Sequence, residues 1–272
     1  MLYNGSKTIY NTKLQNCLLT GLPYEPILGT TINEKYNIMT IYDKSLVDSY
    51  PKLNLIILGA STIEANGDLT KLNLYGSGHS PIETELKNHI PLYLRTAEEA
   101  ITKPPSKKYR LKTSLVINGI EYIAYYGYNA VDYNNKKEIV IFNNIEDEYV
   151  SVSKLDTDIA DILNPPTGST VDLTQTTGIT YIGDFVKLHL FFTLNELLEL
   201  KNVLNILYPD GEHYINEIAV CHSKELNTGT YVENVETQIS YFLDIDKKLD
   251  DAITEGKLDF YVEVGGMEVL RK

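Results

Sequence analysis

The stretch from Ile179 to Cys221, ITYIGDFVKLHLFFTLNELLELKNVLNILYPDGEHYINEIAVC, constrains the fold more than any other part of the chain. Its apolar residues change period once. Val186, Leu188, Leu190 and Phe192 alternate with Lys187 and His189, the pattern of a strand with one buried face. Thr193 and Glu196 then form a capping box, and Leu194, Leu197, Leu200, Leu204 and Leu207 recur at helical spacing. Asn195, Glu199 and Asn202 lie opposite, with Ile206 out of place among them. Pro209-Asp210-Gly211 stops the helix, and Ile215 to Cys221 reads as the next strand. The block is strand, helix, strand.

Elsewhere the pattern is mostly of period two. Residues 36–42 and 53–58 read as strands. Residues 110–143 read as a meander. Leu111, Thr113, Leu115 and Ile117 alternate with Lys112, Ser114 and Val116, and Asn118-Gly119 is a two-residue hairpin turn. Tyr122, Ala124, Tyr126 and Tyr128 share a face of the returning strand, Asn134-Asn135 marks a second turn, and Glu138 to Phe142 is a third strand. Residues 237–245 and 258–264 also alternate. Ile239, Tyr241, Leu243 and Ile245 oppose Gln238, Ser240 and Asp244, and Leu258, Phe260, Val262 and Val264 oppose Asp259, Tyr261 and Glu263.

A second helix is expected from Ser80 to about Asn88, with Ser80 as cap, Pro81 in the first helical position and Glu83 completing a capping box. Residues 1–35 are rich in turns and read as a packed loop or as an arm reaching a neighbour. Asn164-Pro165-Pro166-Thr167-Gly168-Ser169 is the expected domain boundary. The fold class is therefore α+β and sheet-dominant, with antiparallel or mixed sheets, a few short helices and two domains. Residues 1–164 form a β-rich domain with an N-terminal arm and the meander; residues 165–272 form an α+β domain.

Composition narrows the partners. The 272 residues carry 37 acidic against 24 basic side chains, a net charge of −13. Nucleic-acid binding depends on phosphate neutralisation, and no basic stripe is present, so neither nucleic acid nor an anionic membrane is an expected partner. Lys103, Lys107, Lys108, Arg110 and Lys112 surround Pro104-Pro105 and read as a solvated loop. Cys17 and Cys221 are the only cysteines and match neither a disulfide framework nor a metal spacing. No apolar run suits a membrane span or a signal peptide, so the chain is expected to be made and kept in cytoplasm, or assembled from it. The 21 tyrosines join apolar rings to polar tips, which suits interfaces.

Candidate chemical motifs are imitations. Leu55 to Thr62 resembles a strand entering a phosphate loop but lacks the Gly-Lys-Ser/Thr ending. Gly76-Ser77-Gly78-His79-Ser80 before a helix offers amides to an anion, or is an ordinary N-cap connection. Glu85 and His89, four apart on the expected helix, have no third ligand. His213, Cys221 and His222 are too loosely spaced for zinc. Asp244, Asp246, Asp250 and Glu255 match positions 1, 3, 7 and 12 of a calcium loop, but Lys248 takes position 5 and Leu249 the obligatory glycine. No nucleophile elbow, dinucleotide fingerprint or triad spacing occurs. No catalytic, cofactor or metal residue is assigned, and no enzyme is expected.

Two segments carry a resemblance. One is Gly78-His79-Ser80-Pro81-Ile82-Glu83 with His89-Ile90-Pro91-Leu92 and Tyr109-Arg110-Leu111. The other is Leu194 to Tyr208 with Tyr214-Ile215-Asn216-Glu217-Ile218-Ala219-Val220-Cys221. Together they resemble uncharacterised virion structural proteins of large tailed bacteriophages, and the Ile-Asn-Glu-Ile-Ala-Val strand is similar to short strands of tail-fibre and baseplate-associated phage proteins. The resemblance covers about a third of the chain. It implies assembly in a tail, baseplate or neck, in contact with other virion proteins and with copies of itself as a homo-oligomer in a symmetric assembly, with the virion as location. A receptor- or glycan-binding β-domain is the alternative, and a metal-assisted hydrolase using Glu85 and His89 the third.

Overall fold

The computed structural model describes residues 5–38, 42–47, 50–63, 79–105, 109–129, 137–145, 148–157, 179–227 and 232–271. The chain forms two compact units, each discontinuous in sequence. One comprises Met1–Val131 and Phe192–Leu258; the other comprises Asp132–Phe191 and Asp259–Lys272. The division expected between residues 164 and 165 lies outside the described residues, as do the turns at Asn134-Asn135 and Gly76–Gly78. The class is α+β with sheet dominant, and the described residues form a seven-stranded and a four-stranded sheet.

In chain order the elements are β1 (Gly5–Lys7), α1 (Ile9–Thr20), α2 (Ile32–Lys35), a 3-10 turn (Lys44–Leu46), β2 (Lys52–Ile63), β3 (Tyr93–Arg95) and α3 (Ala97–Thr102). Then come β4 (Tyr109–Ile117), β5 (Ile120–Asn129), β6 (Lys137–Ile145), β7 (Glu148–Thr157), β8 (Ile179–Thr193) and α4 (Leu194–Leu207). The chain ends with β9 (Glu212–Asn227), β10 (Val232–Lys248), α5 (Leu249–Glu255) and β11 (Lys257–Arg271). The larger sheet runs β1-β10-β9-β2-β5-β3, with β4 also on β5. One side of β5 takes β4 along its length. The other side is shared, with Leu55 and Ile56 of β2 opposite Asn129 and Tyr128, and β3 opposite Ile123–Tyr125. The smaller sheet runs β11-β8-β6-β7.

The opening block folds as its pattern requires. Both halves of the Thr193–Glu196 capping box form, and Leu197, Leu200, Val203 and Leu204 are buried. Ile206 packs against the core of its own unit. The hairpin of β4 and β5 turns at Asn118 and Gly119, with φ of 52° and 78°, the left-handed pair that a type I′ turn needs.

Five expectations are corrected. Residues 5–35 pack on their own unit, one of the two expected readings, but as strand and helices rather than loop: β1 pairs with β10, Thr8 caps α1, and Tyr10 and Leu14 are buried. The apolar residues of α1 lie on several faces, so no stripe marked the helix. Residues 36–38 are not strand: Tyr36 ends α2, Asn37 is left-handed at φ 52°, and Ile38 N–H returns to Asn33 O at 2.8 Å. Asn is among the few residues that tolerate this conformation. No helix forms at Ser80–Asn88, because its backbone is claimed elsewhere. Pro81 O accepts from Ile9 N, Ile82 O from the Tyr10 hydroxyl and Leu86 O from the Tyr36 hydroxyl, while the Glu83 carboxylate meets His79. The meander stops at β5, because β6 pairs with β7 and β8.

The fifth concerns the rule of one buried face. Along β9 and β10, His222, Ser223, Gln238 and Ser240 are as buried as Val220 and Ile239. Helices α1 and α2 pack on β10. Bulges between Val235 and Gln238 and between Ile239 and Tyr241 shift the strand's facing. Ile239 and Phe242, three apart, therefore reach one core.

Gly127 shows how tightly β5 meets β2. It has φ 76°, and a Cβ there would sit 2.8 Å from Leu55 Cδ1. Both strain and overlap oppose a side chain, so Gly127→Ala is expected to destabilise by about 2 kcal/mol, read from the urea midpoint at unchanged slope.

Candidate functional site

The site grows from the loop that follows α1. Gly21 ends that helix in the left-handed region, at φ 68°, and the chain then runs through Pro23 and Pro26 to Gly29, at φ 75°. Both prolines limit the loop's freedom. The Lys13 ammonium donates to Glu25 O, and the Glu34 carboxylate accepts from Gly29 N at 2.9 Å while closing the capping box of α2 with Thr31.

A buried chain of hydrogen bonds fastens the loop from below. Ser240 Oγ lies 2.6 Å from His222 Nδ1, and His222 Nε2 lies 2.6 Å from the Tyr24 hydroxyl. That hydroxyl donates to Gln238 Oε1, Gln238 Nε2 donates to Thr30 Oγ1, and Thr30 Oγ1 donates to Ile27 O. The Tyr24 proton is thus committed to Gln238. It follows that His222 Nε2 carries the hydrogen given to Tyr24, and Nδ1 accepts from Ser240. Every donor points the same way, an arrangement in which each bond polarises the next. Burial depresses the His222 pKa to about 4, against the raising effect of Gln238, which matches the neutral ring this chain needs.

Above this network lies a cleft of about 610 Å³, its walls including Ile27, Leu28, Tyr42, Val47, Lys224 and Glu236. On one wall the Glu236 carboxylate meets the Lys224 ammonium at 2.8 Å and accepts from the Tyr42 hydroxyl at 3.0 Å. Glu236 itself is held at φ 53° in the β10 bulge, a costly conformation for a residue with a side chain. Burial first, then the bond to Glu236, raises the Tyr42 pKa. Ile27 and Leu28 on the cleft wall belong to a run of chain rich in exposed apolar residues. Leu19 is 85% exposed and Leu28 89% exposed, and Leu18, Leu22, Ile27 and Leu46 are exposed as well.

The residues singled out from sequence are not gathered here. β2 continues through Gly59 to Ile63, so no phosphate-loop turn exists; a Cβ at Gly59 would lie 2.7 Å from the Glu217 carboxylate. Glu85 is exposed, while His89 is stacked between Tyr36 at 3.8 Å and Tyr126 at 4.3 Å, both its ring nitrogens sealed and without a hydrogen bond. Burial lowers its pKa to about 3. His213 bonds Asn205 at 2.9 Å, Cys221 is in the core with its thiol pKa raised by burial, and His222 serves the network above. The calcium-loop pattern is divided between β10 and α5, with Asp250 paired to Lys201 at 2.6 Å and Glu255 to Lys247 at 3.0 Å. Among the described residues, no three His, Cys, Asp or Glu side chains are placed to hold a metal ion, and no helix is long and apolar enough to cross a membrane.

The tyrosines of β5 are mostly taken up by the core. Tyr126 and Tyr128, expected on one face, are core residues, and so is Tyr125 on the other, whereas Tyr122 is half-buried.

The chain belongs to a family of unknown function (DUF7208). The family model matches residues 4–271, and so runs through both units. No curated protein and no solved structure matches the chain.

Sequence reasoning missed the site almost entirely. Its one local signal was the pair Pro23 and Pro26 between apolar residues, which marks a stiff exposed loop. His222 and Gln238 meet Tyr24 from about 200 residues away in the chain, and no local pattern records that.

Proposed function

We propose that the protein is a structural component of a tailed-bacteriophage virion, in the tail, baseplate or neck, and that the loop after α1 is a surface on which a neighbouring subunit docks. The observation that carries this is the fastened apolar loop. Leu19 at the end of α1 and Leu28 in the loop, 85% and 89% exposed, add little to burial within their own unit, yet the backbone between them is held by prolines, capping bonds and a buried hydrogen-bond chain. An apolar surface held rigid before binding loses little entropy on association. The buried Ser240 and His222 offer no accessible nucleophile, which fits docking better than turnover. The resemblance of the segments around His79 and Glu217 to phage virion proteins supports the particle as the setting.

Leu19→Asp and Leu28→Asp together are expected to leave stability within about 0.5 kcal/mol of the parent, since neither side chain is buried. The same pair is expected to abolish self-association at high concentration, read by sedimentation, and incorporation into particles, read by mass spectrometry of purified virions. A parent protein that stays monomeric at high concentration and is absent from virions defeats the proposal.

The cleft favours a second reading, a receptor- or glycan-binding domain, because hydroxyl, ammonium and carboxylate groups sit beside apolar walls. Retention of the monomer on a glycan array, lost in Tyr42→Phe, would select it.

A further inference from the structure

His79 begins a segment, residues 79–88, that is neither strand nor helix and reaches the edge of β2 at its last residue, where Asn88 O accepts from Ala60 N. Its ring is 4% exposed and stacks on Phe242 at 4.0 Å, with 10° between the planes. Nδ1 meets the Glu83 carboxylate at 2.6 Å. Nε2 is sealed, makes no hydrogen bond, and faces Glu217 Oε1 at 3.4 Å and Asp244 Oδ1 at 3.5 Å. Three carboxylates from three elements thus converge on one imidazole: Glu83 from the segment, Glu217 from β9 and Asp244 from β10. Lys87, also on the segment, is the further charge acting on Asp244.

The tautomer decides what this geometry requires. Nδ1 donates to Glu83, because a carboxylate only accepts. A neutral ring then turns the Nε2 lone pair toward two more carboxylate oxygens, which repel it. A protonated ring places an N–H there and cancels part of the negative charge. We propose that residues 79–88 are a proton-dependent strap, closed over the β2 edge while His79 is protonated and opened when it is not.

The strap's other bonds show what opening would release. Glu217 Oε2 accepts from Lys87 N at 2.9 Å and Asn88 N at 3.4 Å, so the same carboxylate that faces His79 holds the far end of the strap. Asn88 O accepts from Ala60 N of β2 at 3.1 Å, and Pro81 O from Ile9 N at 2.9 Å. Loss of the His79 proton leaves Glu217 buried beside Asp244 and Glu83 with the imidazole charge gone. Glu83 and Asp244, already part-exposed, gain hydration by moving outward, and Glu83 carries the strap with it. The Ala60 amide of β2 is then free to pair with an incoming strand.

Burial alone would lower the His79 pKa, but the Glu217 and Glu83 carboxylates, with Asp244, outweigh it and hold it above the usual histidine value. The closed strap therefore binds the proton more tightly than the open one. Closure is complete below the ordinary histidine pKa and is lost as pH rises through the raised one.

Amide hydrogen exchange of the full chain, corrected for the intrinsic dependence on pH, tests this at pH 5.5 and pH 8.5. Protection of Ile9, Ala60, Lys87 and Asn88 is expected to fall several-fold at the higher pH, while Val220 in the sheet centre keeps its own. Glu83→Gln, changed at the strap's solvent side, is expected to move the midpoint to lower pH. Unchanged protection of the four amides across this range would overturn the strap, and so would a midpoint that Glu83→Gln leaves in place.

Discussion

Glu217→Ala is expected to destabilise the protein by about 4 kcal/mol. The carboxylate is 3% exposed and has three duties. It accepts from Lys87 N and Asn88 N and faces His79. Removing it leaves two part-buried amides without their acceptor and a buried imidazole without one of its counter-charges, and the imidazole weighs most. Gly59 shows that the sheet is built around this side chain, since any Cβ there would collide with it. Glu217→Gln keeps one carbonyl oxygen for the amides and loses only the charge, so it is expected to cost about half as much. Urea unfolding at pH 6 measures both. A loss below about 1 kcal/mol for the alanine variant would show that water reaches the amides in place of the carboxylate.

Acid has the second large expected effect. His222 and His89 are neutral and buried, with pKa values lowered from 6.5 to about 4 and about 3. The unfolded chain takes up protons near pH 6.5, whereas the folded chain does not until far lower. Stability attributable to these rings is therefore complete above pH 6.5 and falls as pH drops toward 4, by on the order of 3 kcal/mol for His222 alone. His79 acts in the opposite sense, with its contribution complete at low pH and lost at high pH. Melting temperature between pH 4 and 6.5 is the measurement. His89→Phe is expected to flatten part of the slope, because it keeps the stack on Tyr36 and Tyr126 and removes a group that must stay unprotonated. A slope unaffected by His89→Phe would mean that the ring is hydrated in the folded protein.

What could be read from the sequence divides by distance along the chain. The Thr193–Glu196 box, the Asn118-Gly119 turn and the strands of the last 60 residues are local signals, and all appear in the structure. The Ser80–Glu83 box is an equally good local signal and fails, because Tyr10, Tyr36 and Glu217 compete for its backbone from remote positions. Alternation in β10 misled for a different reason: a bulge exchanges the two faces without changing the composition. The polar network under the apolar loop was illegible for the same reason as the strap. Histidine, serine and glutamine within strands look like solvent-facing positions until helices from the first 35 residues cover them.

The pairing of β2 with β9 fixes when this protein can fold during synthesis. Lys52 lies opposite Ser223 and Ile63 opposite Glu212, so β2 leaves the ribosome some 160 residues before its partner. Until then its edge is unpaired and its Leu55–Leu58 run uncovered, which is the condition that favours misassociation of nascent chains. The larger sheet also needs β10, which carries β1 at its far side. Native assembly of the first unit thus waits for nearly the whole polypeptide, and a chain cut short before residue 212 keeps the pairs around β5 but lacks the β9 partner of β2.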